Sequence, residues 1–444
     1  MTYAEAVARL LGLRRGEITG MAPGLERIEA LLDALGRPET RYVLAQVGGT
    51  NGKGSTAVML AGMLKAAGRR VGLYTSPHLV SFRERIRVDG VPISEDAVAD
   101  GFDALGTVIA RVDATMFEAA TALALDHFAH EGVEVAVLEV GLGGRGDATT
   151  VGRPAVTVLT HIDFDHEAWL GRTIEAIADA KAAIIRSGTA ISVAQSPAAR
   201  AIIERRADEV GVPLLLEGRD LHVRVRASGL EGQRIDCAGP GFALADLALP
   251  LRGLHQPSNA LVAVAAARVL GAADPAIRAG LARVRWPGRL QIVGRDPFIV
   301  LDGAHNPDGA RALAASLRAL FGDAPVTFVV GIYADKDARG ILDALLPLAA
   351  RIVLTRAANE RAADPAALAR VVGARVPTSV TASTAEALSV AAAPPPTPII
   401  CVAGSLAVVG EALRHLAGSD KPCPIENGAD SMDAFRDKDF RDTS

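Results

Sequence analysis

The stretch VGGTNGKGSTA, residues 47–57, decides how the rest of this chain is read. It follows an apolar run, RYVLAQV (41–47), and leads into GSTAVMLAGMLKAAG, so glycines and a lysine stand between a strand pattern and a helix pattern. A phosphate-binding loop ordinarily runs G-x-x-x-x-G-K-[ST], with a hydroxyl directly after the lysine. Here Gly54 follows Lys53, and Ser55 comes one place late. The context still suits phosphate. Backbone N–H groups of Gly49, Thr50, Asn51, Gly52 and Gly54 are expected to converge on phosphate oxygens at a helix N-terminus. Lys53 would neutralise β/γ charge, and Ser55 or Thr56 would reach a magnesium ion. The bland alternative is an ordinary glycine-rich turn.

Outward from the loop, short β-branched runs alternate with Ala/Leu-rich ones, which predicts a parallel sheet with crossover helices. RRVGLYT, VEVAVLEV, AVTVLTHI and TAISVA read as strands, and TIEAIADAKAAIIRSG and PAARAIIERRADEVG as helices. A polar segment near 217–250 is expected to carry short strands, and a helix to start near Ser258. Trp286-Pro287-Gly288 punctuates the chain. Beyond it DPFIVLD, APVTFVVGIY, ARIVLTRA and TPIICVAG are four strand candidates, each followed by a helix. The expected fold is therefore α/β: a mostly parallel, P-loop-containing domain over 1–288 and a smaller Rossmann-like α/β domain over 289–418. The polar, unpatterned stretch 419–444 is expected to be a mobile tail.

Composition narrows the class. In 444 residues, half are apolar and the net charge is −4, with no basic run interleaved with aromatics; this argues against a nucleic-acid surface. Cys237, Cys401 and Cys423 are dispersed, which argues against a disulfide framework or structural zinc and fits a reducing cytoplasm. ALVAVAAARVLGAA is interrupted by Arg268 and reads as a buried helix, so no membrane span is expected.

Further chemistry gathers at predicted strand ends, the ligand-facing edge of an α/β sheet. VLEVGLGGRGDATT (137–150) closes a buried strand on Glu139, costly there unless paired or metal-bound. An ion pair with Arg145 is the alternative. THIDFDHEAWLG (160–171) crowds Asp163, Asp165, His166 and Glu167 together, without a zinc spacing. Lys181 lies in an apolar helix, where the pattern alone favours a snorkelling side chain. IVLDGAHNPDG (299–309) sets Asp302 at a strand end with His305 and Asn306 in the next turn, and Arg289 comes from the linker. Helix capping by Asn306 or Asp308 is the sober alternative there.

GTNGKGS, TSPHL (75–79), TMFEAATA (115–122), LEVGLGGRGDAT, DHEAWLG, the Lys181 helix, HQPSNA, GRLQ and LDGAHNPDG occur in one order. Together, from about residue 20 to 418, they resemble the folylpolyglutamate synthase/dihydrofolate synthase family of the Mur-ligase superfamily. The resemblance implies a monomeric, ATP-dependent amide ligase that phosphorylates a pteroate or folyl carboxylate and lets L-glutamate attack the acyl phosphate. It further implies that Gly49, Thr50, Gly52, Lys53, Gly54 and Ser55 hold the triphosphate. Ser55, Glu139 and His166 would be magnesium ligands at two sites, with Lys181 carbamylated. Asn259, Arg289, Asp302 and His305 would reach ATP. Ser76 and His78 of TSPHL, with Thr115, Phe117, Asp147 and Ala148, would face the pterin and glutamate substrates. The chain departs from the family's usual form at Thr150, at Ala180–Ala183 and in THIDFDH. Within the superfamily a cell-wall ligase fits less well, because the loop reads GKGS and not GKTT. A single-activity synthase and a non-catalytic nucleotide-binding module compete with a bifunctional enzyme as readings of the whole.

Overall fold

The computed structural model describes residues 1–13 and 24–418. The expected tail from Ser419, the start of MAPGLERIEALL (21–32) and Cys423 lie outside the described residues. Three sheets organise the chain. The largest runs, edge to edge, through Val91–Pro92, Ile86–Val88, Val71–Tyr74, Val135–Glu139, Val43–Gly48, Pro154–Leu159, Thr189–Ser192 and Leu214–Leu216. Its last six strands are parallel, and a short antiparallel hairpin closes the first edge. Val43–Gly48 is central. The chain leaves it on one side for Val71–Tyr74 and later returns on the other through Pro154–Leu159, so the order reverses beside this strand. Such a reversal opens a crevice at the carboxyl edge.

That crevice is where the glycine-rich loop emerges. Register sets Val47 opposite Glu139 and Gly48 opposite Leu159, so the carboxylate lies beside the root of the loop. Apolar residues on both faces make the central strands near-continuously buried, as a parallel sheet covered by helices requires. The helix Lys53–Ala66 packs against Gln256–Val269 and Asp274–Ala282 in one core. Gln256–Val269 is the Ala/Val-rich segment expected to be buried, and Ala260 to Ala267 are all inaccessible. Among the described residues no helix is long and apolar enough to cross a membrane.

The polar segment near 217–250 forms three antiparallel strands, His222–Gly229, Gly232–Gly239 and Phe242–Leu249. They are eight residues each, longer than expected, because alternation hides one apolar face among charges. Cys237 is buried on it, and both Cys237 and Cys401 are free thiols. The third sheet has the order Gln291–Arg295, Phe298–Leu301, Ile399–Ala403, Val326–Val330, Ala349–Leu354 and Thr378–Val380. The four expected strands are its centre, parallel and packed on both faces. Gln291–Arg295 and Thr378–Val380 were not expected; both are edge strands, too short or too polar to show a period.

Candidate active site

The loop helix opens at Gly52, which has φ +95° and no side-chain cap. Its first-turn N–H groups are therefore left to a ligand, as at other anion-binding helix ends. Gly49, at φ +137°, and Gly52 have no room for a side chain: a Cβ would meet Thr160 Oγ1 at 2.0 Å and Asn259 Oδ1 at 2.5 Å. Not every expected donor is available. Thr50 N and Asn51 N donate to His161 O, at 2.8 and 3.3 Å, so the loop's first half is pinned to the neighbouring strand end. This narrows the phosphate-facing N–H groups to those from Gly52 onward.

A cavity of about 780 Å³ spreads from this loop. Thr50, Asn51, Gly52, Lys53, Gly54 and Ser55 line it. Glu139, His166, Lys181 and Asn259 join them, and so do Arg289, Asp302 and His305 from the second α/β unit. At its other end stand Ser76, Thr115, Phe117, Asp147 and Ala148. Gly49, Thr56 and His78 are not lining residues. Gly49 acts through its carbonyl, Thr56 is fully buried, and His78 accepts a 2.9 Å hydrogen bond from Arg85 Nε beside Phe82.

Lys181 does not snorkel. It is 4% exposed in the last turn of Ile174–Ala182, and its Nζ donates to Gly49 O at 2.8 Å. Burial, with Lys53 nearby, pushes its pKa down to about 7, so a large share of the amine is uncharged at neutral pH. Glu139 does not pair with Arg145, which reaches Asp179 instead. The buried carboxylate accepts from Ser76 N at 3.1 Å, and burial raises its pKa against the opposing pull of Lys53. Lys53 Nζ folds back to Thr50 O at 2.9 Å. Ser55 Oγ accepts from Gln256 Nε2 at 3.2 Å. His166 sits at φ +53° as N-cap of Glu167–Leu170, and burial takes its imidazole down to about 3. Hydroxyl and carboxylate oxygens are hard donors suited to magnesium, a neutral imidazole is a borderline donor that can complete such a set, and a cation beside Glu139 would favour the charged form that burial disfavours. The donor set fits; an ammonium on Lys181 would not, whereas its carbamate would.

At the far end of the cavity, Thr115 caps Met116–His130 in a reciprocal box with Glu118, whose carboxylate accepts from Arg27 Nε of the helix Glu26–Ala34 at 3.0 Å. The cap orients Phe117, whose ring lies against Gly141 and 5.9 Å from Tyr74. Asp147 spends its oxygens on Leu142 N and on Thr149, holding the glycine-rich turn closed.

The second unit contributes from the carboxyl edge of its own sheet. Asp302 accepts from Leu290 N at 2.8 Å and Ala304 N at 2.9 Å, fixing the Arg289 linker to the following turn. Asn306 is the helix cap foreseen for it and also links the two units. It caps Pro307–Phe321 through Gly309 N, at 2.7 Å, and its amide reaches Asn51 and Asp165. Asp165 was visible in sequence only as one acid in a crowd. It is the junction of the two units: Lys336 Nζ is ion-paired to it, Asn306 Nδ2 donates at 3.0 Å, and His305 Nε2 lies 3.7 Å away. Burial alone would raise its carboxyl; facing His166, Lys336 and His305 outweigh that and hold it well below the usual range. Lys336, in an Asp-Lys-Asp loop after Val326–Val330, went unnoticed in sequence, as did Gln256. A charged triplet just past a buried strand was the available signal for Lys336.

Crevice, phosphate loop and a second α/β unit closing over them define a class. The Mur ligase middle domain family matches residues 47–267, and the Mur ligase glutamate ligase domain family matches 288–415. The chain is a Mur-type, ATP-dependent ligase. It is 37% identical over 396 residues to the dihydrofolate synthase/folylpolyglutamate synthase of Mycobacterium tuberculosis, covering 83% of this chain and 81% of that one. It is similar to the structure of M. tuberculosis folylpolyglutamate synthase complexed with ADP and AMPPCP, at 35% identity and TM-score 0.86, over 94% of this chain and 100% of that one. The Escherichia coli FolC structure with DHPP and ADP gives 33% identity and TM-score 0.86, over 93% and 97%. The chain belongs to the folylpolyglutamate synthase/dihydrofolate synthase family, as its motifs implied.

Proposed function

We propose that the chain uses ATP to join L-glutamate to dihydropteroate and to reduced folates, combining dihydrofolate synthase and folylpolyglutamate synthase activities. One observation carries this reading: a single cavity connects the phosphate loop, an aromatic acceptor end and polar groups from the second unit. Relatives solved with ADP, AMPPCP and DHPP lend it support.

In this reading N–H groups from Gly52 to Ser55 and the Lys53 ammonium hold the triphosphate, with Asn259 beside the loop. Arg289 and His305 reach the nucleotide from the second unit, and Asp302 sets the linker that carries Arg289. Phe117 stacks on the pterin, and Thr115, Ser76, Asp147 and Ala148 shape its pocket. With the acceptor carboxylate in line, its oxygen takes the γ-phosphoryl as the bond to the β-phosphate oxygen breaks, leaving ADP and an acyl phosphate. The neutral amine of L-glutamate attacks the acyl carbon, and the tetrahedral adduct loses a proton from nitrogen and expels phosphate as the amide forms. Ser55, Glu139, His166 and carbamylated Lys181 would hold magnesium, which supplies charge neutralisation during phosphoryl transfer when bound. Closing the two units on each other excludes water, which would otherwise hydrolyse the acyl phosphate.

We take 1–288 as the ATP-binding domain and 289–418 as the closing domain, and assign the chain to the cytoplasm as a monomer acting on small molecules. The test is phosphate release with ATP and L-glutamate, comparing dihydropteroate with tetrahydrofolate. Glutamate-dependent turnover with both acceptors is expected. Turnover with one acceptor would reduce the assignment to a single activity, and turnover with neither would defeat it.

A further inference from the structure

Gly54 lies in the helix Lys53–Ala66 and is not among the glycines with positive φ, so its backbone does not require glycine. Its surroundings press on that position instead. A Cβ there would come within 3.0 Å of Trp286 Cζ2, 3.2 Å of Nε1 and 3.3 Å of Cε2, closer than ordinary contact. The indole is half-buried and held on its inner side. It packs on the core shared by Lys53–Ala66 and Gln256–Val269, and the Arg87 guanidinium sits 5.8 Å from its ring centroid. Nε1 is buried and has no hydrogen-bond partner among the described residues, so contact with the core, not a polar anchor, holds the ring. Trp286 does not line the cavity, whereas Gly54 and Arg289 do. Gly288 O accepts from Gly303 N at 2.8 Å and ties the same linker to the Asp302–His305 turn. The indole thus stands behind the first turn of the loop helix, at the foot of the segment that delivers Arg289.

We propose that Trp286 is a positioning residue for the nucleotide. It braces the loop helix through Gly54 and sets the loop's placement relative to Arg289. Its bulk crowds any side chain directly after Lys53, which gives a steric reason for the hydroxyl arriving one place late. This rests on the reading that the loop holds ATP.

The test is binding of AMPPCP to the full chain by calorimetry, for wild type, Gly54→Ala, Trp286→Leu and the double variant. Gly54→Ala should weaken binding by about tenfold, the scale of an unrelieved overpacking. In the Trp286→Leu background the same change should cost no more than about threefold, because the indole is gone. The KM of the acceptor should stay within about twofold throughout, and the binding stoichiometry should stay near one site per chain, which a general loss of folding would not allow. Should Trp286→Leu fail to fold, as judged by thermal melting, Trp286→Phe makes the same comparison. Wild-type affinity in Gly54→Ala, or an equal penalty in both backgrounds, overturns the role of Trp286. Failure of the wild-type chain to bind AMPPCP overturns the nucleotide reading as well.

Discussion

Asp165→Asn probes the junction between the two α/β units. The substitution keeps the side chain's shape and removes its charge, leaving Lys336 as a buried cation whose side chain is 7% exposed. Removing one member of a buried pair costs about 3–5 kcal/mol, because the remaining charge is still out of water. For a cooperative unit of roughly 150–250 residues, about 1 kcal/mol moves Tm by about 2–4 °C, so a fall of at least about 6 °C is expected. Asp165→Asn/Lys336→Met removes both charges and should recover at least half of that loss, since a well-packed apolar substitute for a pair is close to neutral. Differential scanning calorimetry on the four proteins closes the cycle. The pH dependence has a definite sign. The folded-state pKa of Asp165 is depressed, so its contribution is fully present above the ordinary carboxylate value, about 3.9, and is lost as pH falls below it toward the folded value. A Tm within about 1 °C of wild type for Asp165→Asn, or a double variant no better than the single one, would refute the reasoning.

Lys53→Ala and Glu139→Ala should each lower turnover by at least about a thousandfold while the circular dichroism spectrum stays native, as expected for groups acting on the transferred phosphoryl; near-normal turnover in either would remove these assignments. Lys181 should take up carbamate as pH rises through about 7, because burial leaves its amine uncharged above that value. A ¹³C-bicarbonate NMR signal that is present at pH 8, weak at pH 6 and missing in Lys181→Arg is expected; a signal unaffected by Lys181→Arg would contradict it. For the unmodified lysine the unfolded chain binds the extra proton between about 7 and 10.5, so stability should rise with pH across that window. Phe117→Ala should raise the acceptor KM by about tenfold and leave that for ATP within about twofold; equal rises in both would show a general loss of the site.

Much of this molecule was legible without coordinates. A glycine-rich turn between an apolar strand and a helix, Glu139 at the end of a fully buried run, and the restart of the pattern after Trp286-Pro287-Gly288 follow from local periodicity. Local periodicity is also what fixes strands and helices. The chain could not say where long side chains end. Lys181 looked like a snorkelling lysine because its neighbours on the helix are apolar; only packing turns its amine onto the Gly49 carbonyl, 132 residues away. Asp165 looked like one acid among three until Lys336, His305 and Asn306 arrived from the second unit.

Gly54 marks the division most sharply. Local pattern along the chain was enough to place a glycine-rich loop of phosphate-binding type between strand and helix, with Lys53 and a displaced hydroxyl at Ser55. It offered no reason for the displacement, because nothing near Gly54 in the chain forbids a side chain there. The tertiary structure supplied one, an indole from the inter-unit linker filling the space a Cβ would need. Steric exclusion acts between atoms close in space, and the two residues become close only when the linker folds back over the loop helix.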